Sequence, residues 1–207
     1  ASPDPALDLR LNGWLPYQAW IAMMGERCAA TRLQSALALL HARPELLRAE
    51  LLRAAREFAT SDPAVEDFLW LPFALTRYVA ATGDLALLGE LPFADGAADA
   101  ATHLDAADDL YLHCVHGLRG SLRFGTRGLP PAAAILHDET PGGQGESVRL
   151  AFFMTATLQR FAELADRRGD FGFATTCRGA ALALGAQCEE HGWDGEWYRW
   201  CYLENGN

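Results

Sequence analysis

Apolar residues recur at spacings of three and four through most of the chain, which is the period of an α-helix with one buried face. The clearest example covers residues 146–167, where the charged side chains lie mainly away from the apolar stripe and Gly169 follows as a stop signal. This pattern predicts a long amphipathic helix. Its apolar stripe consists of Leu150, Phe153, Met154, Thr157, Leu158, Phe161, Leu164 and Ala165.

Six further segments show the same period and are predicted to be helical. One begins at Pro44, a residue that the first turn of a helix tolerates, and another is apolar on most sides and ends at Gly83. The residues before position 13 contain several prolines and aspartates and instead predict an extended lead-in. The six segments are residues 15–29, 31–40, 44–58, 67–82, 108–118 and 173–191. We therefore expect an all-α chain of about seven helices.

Three stretches do not fit a helix: residues 92–103, 119–145 and 192–207. The middle one is the longest and is rich in glycine and proline. Long ordered loops on a helical scaffold commonly carry binding and catalytic residues, so this loop is the first place to look for a site. Because no linker composition or charge run divides the sequence, we predict one domain over residues 1–207.

The composition narrows the range of partners. The chain has 207 residues with 27 acidic and 17 basic side chains, a formal net charge of −10, and its basic residues are all arginine. An acidic balance argues against nucleic acid and anionic lipid as ligands, and the lack of lysine excludes Schiff-base chemistry.

The longest apolar run, residues 68–75, is too short to span a bilayer, and five cysteines without a CxxC pair do not suggest disulfides. We expect a soluble, cytoplasmic chain without direct membrane insertion.

Two chemical patterns are weak. His113, Cys114 and His116 lie on a predicted helix, but no third ligand of suitable spacing is evident, and one buried cysteine beside two surface histidines explains them better. Ser147 lies in Gly-Glu-Ser-Val, which is not the Gly-x-Ser-x-Gly turn of serine hydrolases. We therefore predict no metal site, no bound cofactor and no serine triad.

Aromatic residues cluster in three places along the chain. Apolar sugar faces stack on aromatic rings and sugar hydroxyls bind carboxylates and amides, so such clusters are compatible with carbohydrate binding. Core packing alone explains most tryptophans of this kind, and both interpretations stay open on composition. The clusters are Trp14, Tyr17 and Trp20; Phe68, Trp70 and Phe73; and Trp193, Trp197, Tyr198 and Trp200.

Seven sequence blocks are distributed over nearly the whole chain. They are Asn12-Gly13-Trp14-Leu15-Pro16-Tyr17-Gln18; Leu33-Gln34 followed by His41-Ala42-Arg43-Pro44-Glu45; Glu66-Asp67-Phe68-Leu69-Trp70-Leu71-Pro72-Phe73-Ala74; Gly83-Asp84; Gly128-Leu129-Pro130; Gly145-Glu146-Ser147-Val148; and Trp193-Asp194-Gly195-Glu196-Trp197-Tyr198-Arg199. In this order they resemble glycoside hydrolase family 94, and most closely the phosphorylase-like module of cyclic β-1,2-glucan synthases. Cellobiose and chitobiose phosphorylases are sister enzymes in that family.

The resemblance implies an (α/α)6 barrel that cleaves a β-glucoside with inorganic phosphate as co-substrate and inverts the anomeric centre. Because phosphate is then the nucleophile, only one protein carboxylic acid is needed, to protonate the leaving oxygen. The other parts are hydrogen-bond donors for phosphate and polar groups for the glucose hydroxyls. The implied ligand is a β-gluco-oligosaccharide or a glucan.

The chain departs from the family pattern where the chemistry is carried. The family's general acid lies in a Gly-Asp-Trp-Asn-Asp-Gly segment, which here is a shorter stretch without that pattern, so Asp138 is the candidate acid and Glu139 the alternative. The family's Arg-Asp-Gln is Ala30-Thr31-Arg32, and its loop with histidines, tryptophans and an arginine is reduced to about residues 60–65. The candidate substrate-binding residues are Asp67, Gln18, Trp70, Glu146 and Ser147.

Three hypotheses follow from this mixture. The first is a shortened, degenerate copy that forms a partial (α/α)6 barrel and has weak or no phosphorylase activity, so that whether it is an enzyme stays open. The second is an active inverting β-glucoside phosphorylase or glucan-processing module with Asp138 as general acid. The third is a noncatalytic carbohydrate-binding or assembly module, in which a second copy or a partner chain covers the open side of the barrel.

Overall fold

The computed structural model describes residues 3–92, 108–132 and 145–202, and helix dominates all three ranges. The only strands in them are two short ones, β1 and β2, which pair with each other in antiparallel fashion. The predicted all-α class is therefore confirmed. The elements are α1 Pro5–Leu9, α2 Leu15–Gly25, α3 Ala29–Ala38, α4 Pro44–Ala59, α5 Val65–Thr82, α6 Leu110–Ser121, β1 Glu146–Ser147, α7 Val148–Arg168, α8 Phe171–Gln187 and β2 Cys201–Tyr202.

Local signals set the bounds of the long helices. The Ser147 side chain accepts a hydrogen bond from the Leu150 amide at 3.1 Å and so caps the start of α7. Gly169 ends α7 in the left-handed conformation, with φ of 85°, which glycine adopts without strain. Asp170 then caps α8 through the Phe173 amide at 2.9 Å. The helix predicted from residue 146 thus begins at Val148, because the two preceding residues form β1.

The prediction of an extended lead-in before residue 13 was wrong. Pro5–Leu9 form α1, and Arg10–Trp14 continue as one π-helical turn. The Asp4 side chain accepts hydrogen bonds from the amides of Ala6, at 2.9 Å, and Leu7, at 3.3 Å. An acidic N-cap followed by proline at the first helical position is a start signal, and it outweighs the low helix propensity of the segment.

The chain divides into two compact units. Unit 1 consists of Ala1–Pro63 and Trp70–Cys114. Its core is built from leucines and alanines of α3, α4 and α5, and Arg32 is buried beside them with 1% exposure. The Arg32 guanidinium donates to Glu50 at 2.9 Å and to both oxygens of Glu57 at 2.7 Å, so this buried charge is fully paired.

Unit 2 consists of Ala64–Leu69 and Val115–Asn207. Helices α7 and α8 form an antiparallel hairpin, because only two residues separate them. Phe161 and Phe173 meet edge to face inside it, with ring centroids 5.9 Å apart. Gly117 leaves room for the Phe68 ring, which a Cβ atom would overlap. The single domain predicted over residues 1–207 stays a prediction.

Two findings bear on the weaker sequence patterns. His113 is buried and not on the surface as we expected, because it lies on the same face of α6 as Leu110 and Cys114; His116 is exposed. In the described ranges, no three His, Cys, Asp or Glu side chains are grouped so that they could hold a metal ion. Among the helices of those ranges, none has both the length and the apolar character needed to cross a membrane.

Candidate functional site

The predicted site residues fall into three groups. Asp67, Glu146 and Ser147 belong to unit 2, whereas Gln18 and Trp70 belong to unit 1. The candidate general acids, Asp138 and its alternative Glu139, lie outside the described residues. The candidates that the structure describes are therefore the five residues predicted to bind substrate.

Glu146 is 2% exposed, and its carboxylate is occupied by groups of the chain itself. Oε1 accepts hydrogen bonds from the backbone amides of Arg127, at 2.9 Å, and Leu129, at 3.3 Å. Oε2 accepts a hydrogen bond from Arg127 Nη1 at 3.0 Å. Gly125 packs against the same side chain so closely that an added Cβ would lie 2.5 Å from Oε1. The carboxylate therefore organises the loop ahead of it.

Strand pairing extends this arrangement to the end of the described chain. In the two-stranded sheet, Glu146 lies opposite Tyr202, and Ser147 lies opposite Cys201. The Arg127 guanidinium lies 4.1 Å from the centroid of the Tyr202 ring, which is a cation–π distance. We call Arg127, Glu146, Ser147 and Tyr202 the Glu146 junction. It joins a loop, the start of α7 and the segment after α8.

Asp67 lies in a second and different setting, at the start of α5. Its neighbour Glu66 accepts hydrogen bonds from Arg149 Nη2 on both carboxylate oxygens, each at 2.5 Å. The Arg149 guanidinium also lies 5.0 Å from the centroid of the Trp200 ring, and the Arg149 amide donates to the Trp200 carbonyl at 3.3 Å. We call Glu66, Asp67, Arg149 and Trp200 the Asp67 turn.

The Asp67 carboxyl has acceptor capacity to spare. It is half-buried, and no residue that the structure describes donates a hydrogen bond to it. Burial raises the pKa of Asp67, and the nearby Glu66 carboxylate adds to that effect by repulsion. A half-buried carboxyl with a raised pKa and unfilled lone pairs, next in sequence to the Glu66–Arg149 ion pair, is a suitable acceptor for ligand hydroxyls.

Arg149 is the member of the Asp67 turn that the sequence did not reveal. Its partner Glu66 is 83 residues away in sequence, and neither helical spacing nor the family blocks connect the two positions. Arg149 lies in the first turn of the helix predicted from residue 146, away from its apolar stripe, and such a charged residue is otherwise interpreted as solvated. Only the folded chain brings the guanidinium to the carboxylate.

The two unit 1 residues present less specific geometry. Gln18 is exposed on α2. Trp70 is partly buried on α5, and its ring meets that of Phe73 edge to face with centroids 5.6 Å apart. Such a contact is typical of core packing, and the substrate-binding roles of Gln18 and Trp70 stay predictions.

Comparison with known proteins gives a consistent result. The family model of the glycosyl hydrolase 94 superfamily, catalytic domain, matches residues 53–207. The cyclic beta-(1,2)-glucan synthase NdvB of Rhizobium meliloti strain 1021 is 33% identical over 248 aligned residues, which cover 99% of this chain and 9% of the relative. The cellobionic acid phosphorylase of Neurospora crassa is 30% identical over 229 residues, covering 95% and 28% respectively.

A third relative, the N,N'-diacetylchitobiose phosphorylase of Vibrio furnissii, is 26% identical over 256 residues, which cover 95% of this chain and 31% of the relative. The chain thus spans less than a third of the length of each of these relatives. All three alignments are longer than the chain of 207 residues, because the relatives carry segments that it lacks.

Proposed function

The chain belongs to the glycosyl hydrolase 94 superfamily, and from that premise we propose that it is a phosphorylase-like module that binds β-linked gluco-oligosaccharides and cleaves them with phosphate weakly or not at all. The family's catalytic domain is an α/α toroid, and this all-helical chain has the fold class of part of an (α/α)6 barrel, as the sequence predicted. The relatives named above are a glucan synthase and two phosphorylases of β-linked saccharides.

One observation carries the binding half of the proposal, namely the open Asp67 carboxyl. By the resemblance of the block Glu66-Asp67-Phe68-Leu69-Trp70 to the family, Asp67 is expected to match a sugar-binding aspartate. In this chain the carboxyl has no donor from the described residues. The Trp200 ring, which Arg149 contacts on one face, is 60% exposed. Carboxylate and indole together form the usual recognition pair for a neutral sugar.

The catalytic half of the proposal rests on what the remaining polar groups do. Binding a phosphate dianion requires charge-assisted hydrogen bonds that replace its hydration. Arg149 is engaged with Glu66, and Arg127 is engaged with Glu146. Each guanidinium already shares its charge with a carboxylate, which reduces its attraction for a phosphate dianion.

The Gly-Glu-Ser block supports the same view. The Glu146 carboxylate already accepts hydrogen bonds from Arg127 and Leu129, and the Ser147 hydroxyl caps α7. We propose that this block acts through the fold and contributes little to the phosphate or sugar subsites. The segments that relatives carry and this chain lacks fit a loss of site loops.

An active phosphorylase is the second candidate, and the match to a catalytic-domain model over residues 53–207 favours it. In that case Asp138 would protonate the leaving oxygen while phosphate attacks the anomeric carbon from the opposite face. The two candidates differ in a single measurable product, glucose 1-phosphate.

The experiment combines binding and turnover. Wild type, Asp67→Ala and Asp138→Asn are titrated calorimetrically with β-1,2- and β-1,4-gluco-oligosaccharides, and each is assayed for glucose 1-phosphate with and without phosphate. Glu163→Ala, an exposed carboxylate on α7, is the matched control. We expect saturable binding, weakened at least tenfold in Asp67→Ala only, and phosphate-dependent product close to background. Phosphate-dependent release that Asp138→Asn abolishes would establish the active enzyme, and a complete lack of binding would overturn the saccharide proposal.

A further inference from the structure

Unit 2 exposes a group of aromatic side chains outside the Asp67 turn. Phe152 on α7 and three residues of the segment after α8, Trp193, Trp197 and Tyr198, are between 41% and 71% exposed. A group of exposed aromatic side chains often marks a site where a ligand or a partner binds. We call these four residues the aromatic hairpin.

Three rings of the aromatic hairpin, those of Phe152, Trp193 and Tyr198, form one contiguous group. The Tyr198 ring lies 5.0 Å from the Phe152 ring and 5.0 Å from the Trp193 ring, centroid to centroid, and both contacts are edge to face. Trp197, which is 71% exposed, lies between Trp193 and Tyr198 in the same turn. Trp200 then links this surface to the Asp67 turn, two residues after Tyr198.

The turn that carries these rings is held rigidly. Trp193 and Tyr198 form a backbone bridge, and the Asp194 amide donates to the Trp197 carbonyl at 3.1 Å. Asp194 Oδ1 accepts hydrogen bonds from the amides of Glu196, at 3.0 Å, and Trp197, at 2.8 Å. Gly195 has φ of 108°, a conformation that favours glycine and allows the tight reversal.

Both ends of the turn are anchored to the body of unit 2. The Arg199 amide donates to the Gly192 carbonyl at 2.8 Å, and a Cβ on Gly192 would lie 2.8 Å from Val148 Cγ1. Tyr202 lies in β2, which pairs with β1, and its hydroxyl donates to the His191 carbonyl. Rings fixed in this way lose little conformational entropy when they bind a ligand.

The polar groups around the rings favour a neutral sugar over an anionic or protein ligand. The Tyr198 hydroxyl donates to Glu189 Oε1 at 2.6 Å, and Asp194 and Glu196 are exposed in the turn. Carboxylates repel phosphate groups but accept hydrogen bonds from sugar hydroxyls, and the rings stack on the apolar sugar faces. Charged side chains are generally depleted at the centres of protein interfaces.

We propose that the aromatic hairpin is a second saccharide-binding surface, which holds further units of a β-glucan chain alongside the Asp67 turn. This inference rests on the proposed function for the identity of the saccharide. It predicts that affinity increases with the length of the oligosaccharide, because only a long chain covers both the Asp67 turn and the rings.

The test measures affinity against chain length by calorimetry, which does not depend on tryptophan fluorescence. β-1,2- and β-1,4-linked disaccharides and their longer oligosaccharides are titrated into wild type, Trp193→Ala and Trp193→Phe. Trp14→Ala is the matched control, since Trp14 is 58% exposed but belongs to unit 1. We expect the longer chain to bind wild type at least tenfold more tightly than the disaccharide. Trp193→Ala should remove that gain, Trp193→Phe should restore part of it, and Trp14→Ala should leave it unchanged.

The outcomes separate this inference from the proposed function. If Asp67→Ala weakens binding while Trp193→Ala binds long chains as wild type does, the hairpin site is refuted and the Asp67 proposal stands. If the hairpin variants alone weaken binding, the hairpin is supported and Asp67 is refuted as a ligand residue. A molecular mass by light scattering that falls in Trp193→Ala would instead identify a protein contact and overturn the saccharide assignment.

Discussion

Two carboxylates of unit 2 lie in opposite environments. Glu146 is almost fully buried and accepts three hydrogen bonds from Arg127 and Leu129, whereas Asp67 is half-buried and receives none from the residues that the structure describes. Both belong to sequence blocks of the same family. The difference teaches that a shared block can persist because it holds the chain together or because it meets a ligand, and that hydrogen-bond satisfaction distinguishes the two cases.

The largest expected effect is the loss of stability when Glu146, the carboxylate with three hydrogen bonds, is replaced. Glu146→Ala leaves the Arg127 guanidinium and two backbone amides without their acceptor, so we expect the free energy of unfolding to fall by about 3 kcal/mol. Denaturant unfolding followed by circular dichroism measures it. Glu163→Ala, which removes a carboxylate from an exposed pair with Arg160 at 3.8 Å, should change stability by less than about 0.5 kcal/mol. Equal losses of stability in the two variants would show that the Glu146 junction contributes no more to stability than an exposed ion pair.

A glycine next to that junction provides a second, smaller test. In Gly125→Ala the new Cβ would lie 2.5 Å from Glu146 Oε1 and 2.6 Å from its Cδ, so the buried carboxylate must shift. We expect a loss of about 2 kcal/mol. Gly120→Ala in α6, where nothing lies within 4 Å, should instead be neutral or stabilising by up to about 1 kcal/mol. A neutral Gly125→Ala would mean that the junction is loosely packed.

Removal of the charge at Asp67 should not lower stability at pH 7, in contrast to its removal at Glu146. Burial and Glu66 raise the pKa of Asp67, so the folded state holds this proton more tightly than the unfolded chain does. Its contribution to stability is fully present below the unfolded aspartate pKa of about 3.9 and is lost as the pH rises through the raised value. Asp67→Asn removes this trend, and at pH 7 the variant should be at least as stable as wild type.

The same variant should bind oligosaccharide at least tenfold more weakly, since an amide replaces the charged acceptor. Unfolding at pH 4 and pH 7, together with calorimetric titration, separates the two effects. A variant that is less stable than wild type at pH 7 but binds normally would place Asp67 with Glu146, as a residue of the fold.

The smallest expected effect concerns the aromatic hairpin. The amide hydrogen bonds from Trp197 and Glu196 lower the pKa of Asp194. Its contribution to the turn is therefore present above the unfolded aspartate pKa of about 3.9 and is lost as the pH falls through the lowered value. We expect the near-ultraviolet circular dichroism of the tryptophans to change in that acid range in wild type. Asp194→Asn, which keeps an acceptor oxygen, should retain the signal and lose its pH dependence; a wild-type signal that is constant with pH would contradict the rigid turn.

Most of the helices could be predicted from the sequence, because their signals are local. The period of α7, the proline that begins α4 and the glycine that ends α7 act within a few residues of the element that they define. The first helix was missed although Asp4 and Pro5 form a readable start signal, since the proline-rich segment was interpreted by composition. The burial of His113 depends on which face of α6 packs inward, and the sequence did not settle that.

The candidate site was only partly predictable. Asp67 was predicted as a site residue from its family block and stays a prediction. The distinction between Asp67 and Glu146 depends on groups that are distant in sequence. Glu146 is satisfied by the loop 17 and 19 residues before it, and Arg149 reaches Glu66 across 83 residues. Hydrogen-bond satisfaction is a property of the folded chain, and no periodicity or motif reports it.

The central claim is that the chain recognises β-gluco-oligosaccharides through Asp67 without efficient phosphorolysis. The most direct measurement is the rate of glucose 1-phosphate release at oligosaccharide concentrations that calorimetry shows to be saturating, with phosphate and without it. We predict a saturated protein whose product release with phosphate stays close to the rate without it. Phosphate-dependent release well above that rate, present in wild type and lost in Asp138→Asn, would contradict the account.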